Sequence, residues 1–209
     1  MSFTPSCKAY LLSTTTVLLI TGLLFLLLTK SVIANELTIN QTGFTNTFYT
    51  AQFGEFNSVT VDQTGSRNDI SIQQQGENNE ITVSTNGSLQ AIAIYQSGDF
   101  NEMRMTADGD SNQIAFQQAG FGNVIGAETV GFYNSLTVSQ SGANHHAIVR
   151  QIGNGNVIDA VQYGYRHNFN VNQLGDNNQV NVNQTGSNQT ITASQAGQDN
   201  LARVIQGAL

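Results

Sequence analysis

From Gln41 onward, apolar and polar positions obey one period. The unit Gln-x-Gly-x-x-Asn-x-Φ-x-Φ-x, with Φ an apolar residue, recurs every 11 residues without insertion or deletion. It gives 15 full units and a stub, Gln206-Gly-Ala-Leu. The eighth position is apolar throughout, and the tenth fails only at Thr50. Asn35, Leu37 and Ile39 already stand in phase. An 11-residue period can also signify a right-handed helical coil, but a helix needs apolar residues three and four apart. Here they lie two apart, rich in Val, Ile and Thr, with a glycine in every unit. That pattern predicts a short strand followed by a turn around Gly-x-x.

Side chains alternate along a strand. The Asn at six, the apolar pair at eight and ten and the next Gln therefore share one face, while odd positions carry Thr, Ser, Asn, Asp, Glu, Gln and Arg outward. One such strand cannot bury its apolar face alone, whereas two facing strands can. Two units, 22 residues, make a coil, and stacked coils make an all-β, amyloid-like β-solenoid. Fifteen units give seven and a half coils, roughly 35 Å of axis at about 4.8 Å per coil.

Inward amides are costly unless paired, and stacked at strand spacing they can bond along the axis. The expected ladders are Gln52, Gln74, Gln96, Gln118, Gln140, Gln162 and Gln184, continuing to Gln206, with Asn57, Asn79, Asn101 and Asn123 on one corner. The other corner has Asn46, Asn68, Asn112, Asn134, Asn156, Asn178 and Asn200. The Gln52 series is unbroken, while the other face is interrupted at Thr85, Ala107 and Thr129. The turn residues are Gly43, Gly54, Gly65, Gly76, Gly87, Gly98, Gly109, Gly120, Gly131, Gly142, Gly153, Gly164, Gly175, Gly186 and Gly197.

Composition narrows the chemistry. Only 10% of the 209 residues are charged, against roughly 25% in ordinary soluble domains. Beyond residue 35, five arginines face 14 acids. A chain without clustered basic residues is a poor nucleic-acid binder. From residue 35 there is no Cys, which excludes disulfides and Cys-based metal sites there. Behind Lys8, the apolar run Val17 to Leu28 and the triplet Val32-Ile33-Ala34 fit a secretory signal, with cleavage expected after Ala34. The expected division is a signal segment over 1–34 and a repeat domain over 35–209.

No catalytic constellation is legible, and no cofactor is expected: G-x-S-x-G and H-E-x-x-H are both missing. His145 and His167 lie 22 apart at the Asn position, where they are expected to replace Asn at turn corners rather than hold a metal. The outer column Thr60, Thr82, Arg104, Gly126, Ile148, Asn170, Thr192, assigned to the Gln52 side, lacks the flat Thr array of an ice-binding face. Outward aromatics such as Phe44, Phe53, Phe121, Tyr163 and Tyr165 are expected to pack locally at turns. Glu55, Glu77 and Asp99 share one turn position, and Glu80 and Glu102 stack on a strand. Their mutual repulsion, roughly 0.9 kcal/mol per neighbouring pair in water, is expected to act as a brake on stacking that acid or salt weakens.

The pattern resembles the curlin repeat, in which Ser or Asn, Gln, Asn and Gln mark each strand-turn-strand unit. Here Asn57-x5-Gln63-x4-Asn68-x5-Gln74 matches it, and the resemblance extends over residues 35–209. The resemblance implies a subunit, major or nucleating, of the extracellular functional amyloid of Gram-negative biofilms, used in adhesion. It implies itself and other curlin subunits as partners, with export through an outer-membrane pore assisted by periplasmic chaperones. The repeats run to seven and a half coils where curlins commonly have about five, and a Gly/Asn-rich leader is not seen. The ending Ala202-Arg203-Val204-Ile205-Gln206 is similar to that of the nucleating subunit. Uncapped strand edges at both ends are expected to template further chains. The competing reading is a monomeric, surface-displayed solenoid that binds ice, carbohydrate or metal.

Overall fold

The structure, a computed structural model, describes residues 6–7, 24–26 and 35–207. The rest of the expected signal segment, including the cleavage point after Ala34, lies outside the described residues. From Glu36 the chain alternates between two parallel sheets. One takes Glu36–Phe44, Ser58–Ser66, Glu80–Ser88 and every second strand to Thr190–Gln198. The other takes Thr47–Phe53, Asp69–Gln75, Ala91–Asp99 and every second strand to Leu201–Gly207. Two short pieces join the outer edges of the first coil: Ser6–Cys7 pairs antiparallel with Glu36–Phe44, and Leu24–Leu26 pairs parallel with Thr47–Phe53. The all-β solenoid and its 22-residue coil are thus the fold, with eight strands in each sheet from Glu36 onward.

Register is uniform. Ile92 pairs with Ile114, Ile114 with Leu136, Leu136 with Ile158 and Ile158 with Val180, every step being 22 residues. A slip by one residue would turn the apolar row outward, so the strict 11-residue pattern fixes the pairing. Between the sheets lies a thin core of two residues per strand, such as Val59 and Val61 facing Ile70 and Ile72, none of them exposed. At the interrupted positions the inner side chains are still buried, as in Thr85, Ala107 and Thr129.

The corner needs two left-handed residues, where only the glycine was anticipated. The glycine at position three has φ between +99° and +139° in all 15 units. The residue at position five has φ between +53° and +63°, and it is non-glycine in 13 of them, among them Thr45, Phe56, Leu89 and Tyr133. Asn, Asp and Gly fill position five in seven units, at Asn78, Gly122, Asn144, Gly155, Asn177, Asn188 and Asp199. That enrichment was the available signal.

Candidate functional site

The solenoid carries its chemistry in stacked columns. In the Gln52 column each Nε2 donates to the Oε1 of the Gln one coil later, through Gln52, Gln74, Gln96, Gln118, Gln140, Gln162, Gln184 and Gln206, at 2.7 to 3.3 Å. The second hydrogen of the same amide crosses the core. Gln52, Gln74, Gln96, Gln118, Gln140 and Gln184 donate to the carbonyl of the residue 16 earlier on the facing sheet, at 3.0 to 3.3 Å. Each of these six amides therefore ties coil to coil and sheet to sheet. The sequence suggested the first bond and not the second, because the second depends on how closely the sheets approach.

The asparagines act differently. Their Nδ2 donates to the carbonyl of the glycine 19 residues on, as in Asn46 to Gly65, Asn57 to Gly76, Asn68 to Gly87 and Asn79 to Gly98, at 2.7 to 3.0 Å. Asn101, Asn112, Asn123, Asn134, Asn156 and Asn178 repeat the bond to Gly120, Gly131, Gly142, Gly153, Gly175 and Gly197. Their Oδ1 accepts the backbone N–H of the corner residue one coil later, as Asn57 does from Asn79 and Asn156 from Asn178. Amide-to-amide contact accompanies this on part of the column, including Asn200 to Asn178 at 2.8 Å. The Asn column is thus mainly a set of clamps on the next turn's backbone. Asn is the right length for a clamp that must reach a glycine carbonyl, and Gln for one that must cross the core.

His145 and His167 take over this duty where Asn is replaced. Nδ1 of His145 accepts the backbone N–H of His167 at 3.2 Å, and Nδ1 of His167 accepts that of Gln189 at 3.3 Å. Nε2 of each faces a carbonyl four residues back, Ser141 or Tyr163, at 3.1 Å. The rings stack at 5.0 Å with planes 6° apart. Both nitrogens are spent on the backbone, which requires neutral rings protonated at Nε2. Burial is the main influence on His145, holding it below the ordinary imidazole value. The Ser141 carbonyl opposes that shift, and the nearby His167 adds to it.

The other expected features fall as follows. Asp99 accepts the backbone N–H of Glu77 at 2.9 Å, so this column contains a structural bond as well as charge. Asp110, Asn154 and Asp176 make the same bond on the other corner, to Ser88, Phe132 and Asn154. Glu80 and Glu102 do pair in register. Arg104, however, donates to both, at 3.1 and 2.7 Å, so attraction to a shared guanidinium replaces the expected repulsion there. The Thr60 to Thr192 outer column lies on the sheet facing the Gln52 ladder, a correction to the expected side. The Gln that opens each unit belongs to the strand before the turn, not the one after it. Among the aromatics, Phe121 meets Phe100 at 5.3 Å and Arg166 lies 4.7 Å over Tyr165. Phe44 remains 80% exposed.

Comparison with known families bears directly on these columns. A model of the curlin-associated repeat matches residues 34–65 and 133–164. The chain carries curlin-associated repeats in these two stretches. Each matched stretch spans strands of both sheets, and the same register joins them to every coil between and beyond. The curlin repeat and the solenoid make this a structural protein of the broad curli type. Comparison with curated proteins gave no match, and neither did comparison with solved structures.

Proposed function

We propose that this curlin-repeat chain is a subunit of an extracellular curli-type amyloid fibre, self-assembling or nucleating by stacking of strand edges. The observation that supports this reading most is the last coil. Among the described residues, Thr190–Gln198 and Leu201–Gly207 pair on one side only. Ala202 and Val204 hold the core positions there yet are only partly buried, and Leu201 and Ile205 are 72% and 61% exposed. Once Ser6–Cys7 and Leu24–Leu26 leave the first coil's edges with the cleaved signal, a second copy placed with its Glu36–Phe44 on Thr190–Gln198 continues the 22-residue register, so the same side chains meet again. Parallel edges of this kind recruit further strands.

In this reading, residues 1–34 are the secretion signal. Periplasmic chaperones and an outer-membrane pore carry the unfolded chain out, and the fibre serves adhesion and the biofilm matrix. The stacked Gln and Asn columns hold successive subunits in register, and the glycine turns allow the coils to approach. Glu55, Glu77 and Asp99 restrain stacking until the chain is outside. The test is incubation of purified 35–209 alone and with a second curlin. Fibrils with a meridional reflection near 4.7–4.8 Å are expected from the chain itself or, for a nucleating subunit, faster assembly of the partner curlin. A chain that stays monomeric and leaves the second curlin's lag unchanged overturns the proposal.

A further inference from the structure

The second Gln column is broken, and the break is polar. Gln41 donates to Gln63, and Gln151 to Gln173 and on to Gln195. Between these runs stand Thr85, Ala107 and Thr129, stacked in register. Five buried polar atoms here have no partner in the protein: Gln63 Nε2, Thr85 Oγ1, Gln90 Oε1, Thr129 Oγ1 and Gln151 Oε1. Their residues are at most 2% exposed. Buried polar groups are rarely left unpaired, and four along one column, with Gln90 beside it on the neighbouring Asn column, amount to a single unfilled requirement.

The ends of the break have matching polarity. Every bond in the column is donated toward the C-terminal coils. The orphan at the N-terminal end, Gln63 Nε2, is a donor, and the orphan at the other end, Gln151 Oε1, is an acceptor. In intact coils a Gln amide accepts once from below, donates once upward, and donates once across the core to the carbonyl 16 residues earlier. The carbonyls at that spacing from Thr85, Ala107 and Thr129 belong to Asp69, Ala91 and Gln113. Water has the same valence: it accepts, and it donates twice. Thr and Ala are also shorter than Gln, so neither side chain reaches the place where the carboxamide would stand. Gln90 flanks the same turn as Thr85, and with its Nε2 donated to the Gly109 carbonyl its free Oε1 adds an acceptor.

We infer that a file of ordered water occupies this column, one molecule for each missing amide, and carries the hydrogen-bond chain from Gln63 to Gln151. Internal waters with about three polar partners are a regular component of protein cores. The site is specific to these three coils, because the Gln52 column on the facing sheet is closed by amides along its whole length. Thr50 Oγ1 is a separate buried orphan in the first coil; the seam proposed here is the one that runs through several consecutive coils. The inference holds for a single chain and does not depend on fibre formation.

Water-edited solid-state NMR on the sedimented, isotopically labelled full chain tests it. The methyl groups of Ala107, Thr85 and Thr129 are expected to receive water polarisation roughly two- to threefold faster than those of Ala147 and Ala160, which are fully buried in coils with Gln151 and Gln162 in place. In Thr85→Gln/Ala107→Gln/Thr129→Gln the side-chain amide of Gln63 should slow to the rate of Gln74. Ala107 receiving water as slowly as Ala147 and Ala160 overturns the inference. So does equally fast transfer to all of these methyls, which would mean a core wet throughout. The wild-type comparison decides even if the triple variant does not fold.

Discussion

The glycine at position three meets two demands, and they can be separated by mutation. A Cβ on Gly98 would lie 2.1 Å from the Gly120 carbonyl oxygen, whereas one on Gly197 would come no nearer than 3.5 Å to Asn200 Nδ2. Both residues have φ near +100°. Gly197→Ala should therefore cost about 1–2 kcal/mol from backbone strain alone. Gly98→Ala should cost about 3 kcal/mol or more, because the next turn must also move. Denaturant midpoints of the two variants measure the difference. His145 supplies a pH dependence. Its folded-state affinity for a proton lies below that of the unfolded chain, so the unfolded chain binds more protons as the solution is acidified. Stability is complete above the ordinary imidazole value of about 6.5 and is lost as pH falls below it. Protonation would also place an N–H at Nδ1 against the His167 amide. The midpoint of the wild type should drop between about pH 7.5 and about pH 5. His145→Asn/His167→Asn, which restores the usual clamp, should remove most of that drop.

At the scale of the strand, the interrupted column sets where the solenoid opens. Each amide link contributes about 1 kcal/mol net, and each orphan costs about 1–3 kcal/mol if left dry. Backbone amides in Glu80–Ser88, Glu102–Asp108 and Val124–Val130 should therefore exchange with solvent faster than those of Asn168–Asp176, where Gln173 is bonded on both sides. Hydrogen exchange read by mass spectrometry checks this, and equal protection along the chain would count against it. Arg104 sets a second local balance. Removing it in Arg104→Gln leaves Glu80 and Glu102 facing each other in register. The variant should lose stability at low salt and recover it at high salt, since these groups are exposed and screened.

Over the whole molecule the charge is distributed unevenly along the axis. Between residues 36 and 130 lie 11 acids and two arginines, and from 131 onward three acids and three arginines. Stacking brings like charges to coil spacing chiefly in the first half, where Glu55, Glu77 and Asp99 share a column. Glu55→Gln/Glu77→Gln/Asp99→Asn should assemble with a shorter lag at neutral pH, and salt should shorten the lag of the wild type. Asn at 99 keeps an oxygen for the Glu77 amide, so the variant changes charge without losing that bond. An unchanged lag would show that these acids do not restrain assembly.

The strict period determined the strands, their inward faces, the 22-residue register and the positions at which one amide column fails. All of these follow from local alternation and from the fact that equivalent residues must stack. The close approach of neighbouring turns was decided only in three dimensions. It puts position five in the left-handed region even at Thr45 and Phe56, and it directs the Asn side chains to glycine carbonyls one coil on. The sheet-to-sheet distance likewise decided that the Gln amides cross the core. Arg104 reaching two acids, one of them a coil away, and the neutral, stacked His145 and His167 also depend on neighbours 22 residues distant. A repeat dictates which residues recur above one another, but the direction each side chain takes is settled by whichever unpaired backbone group lies within its reach.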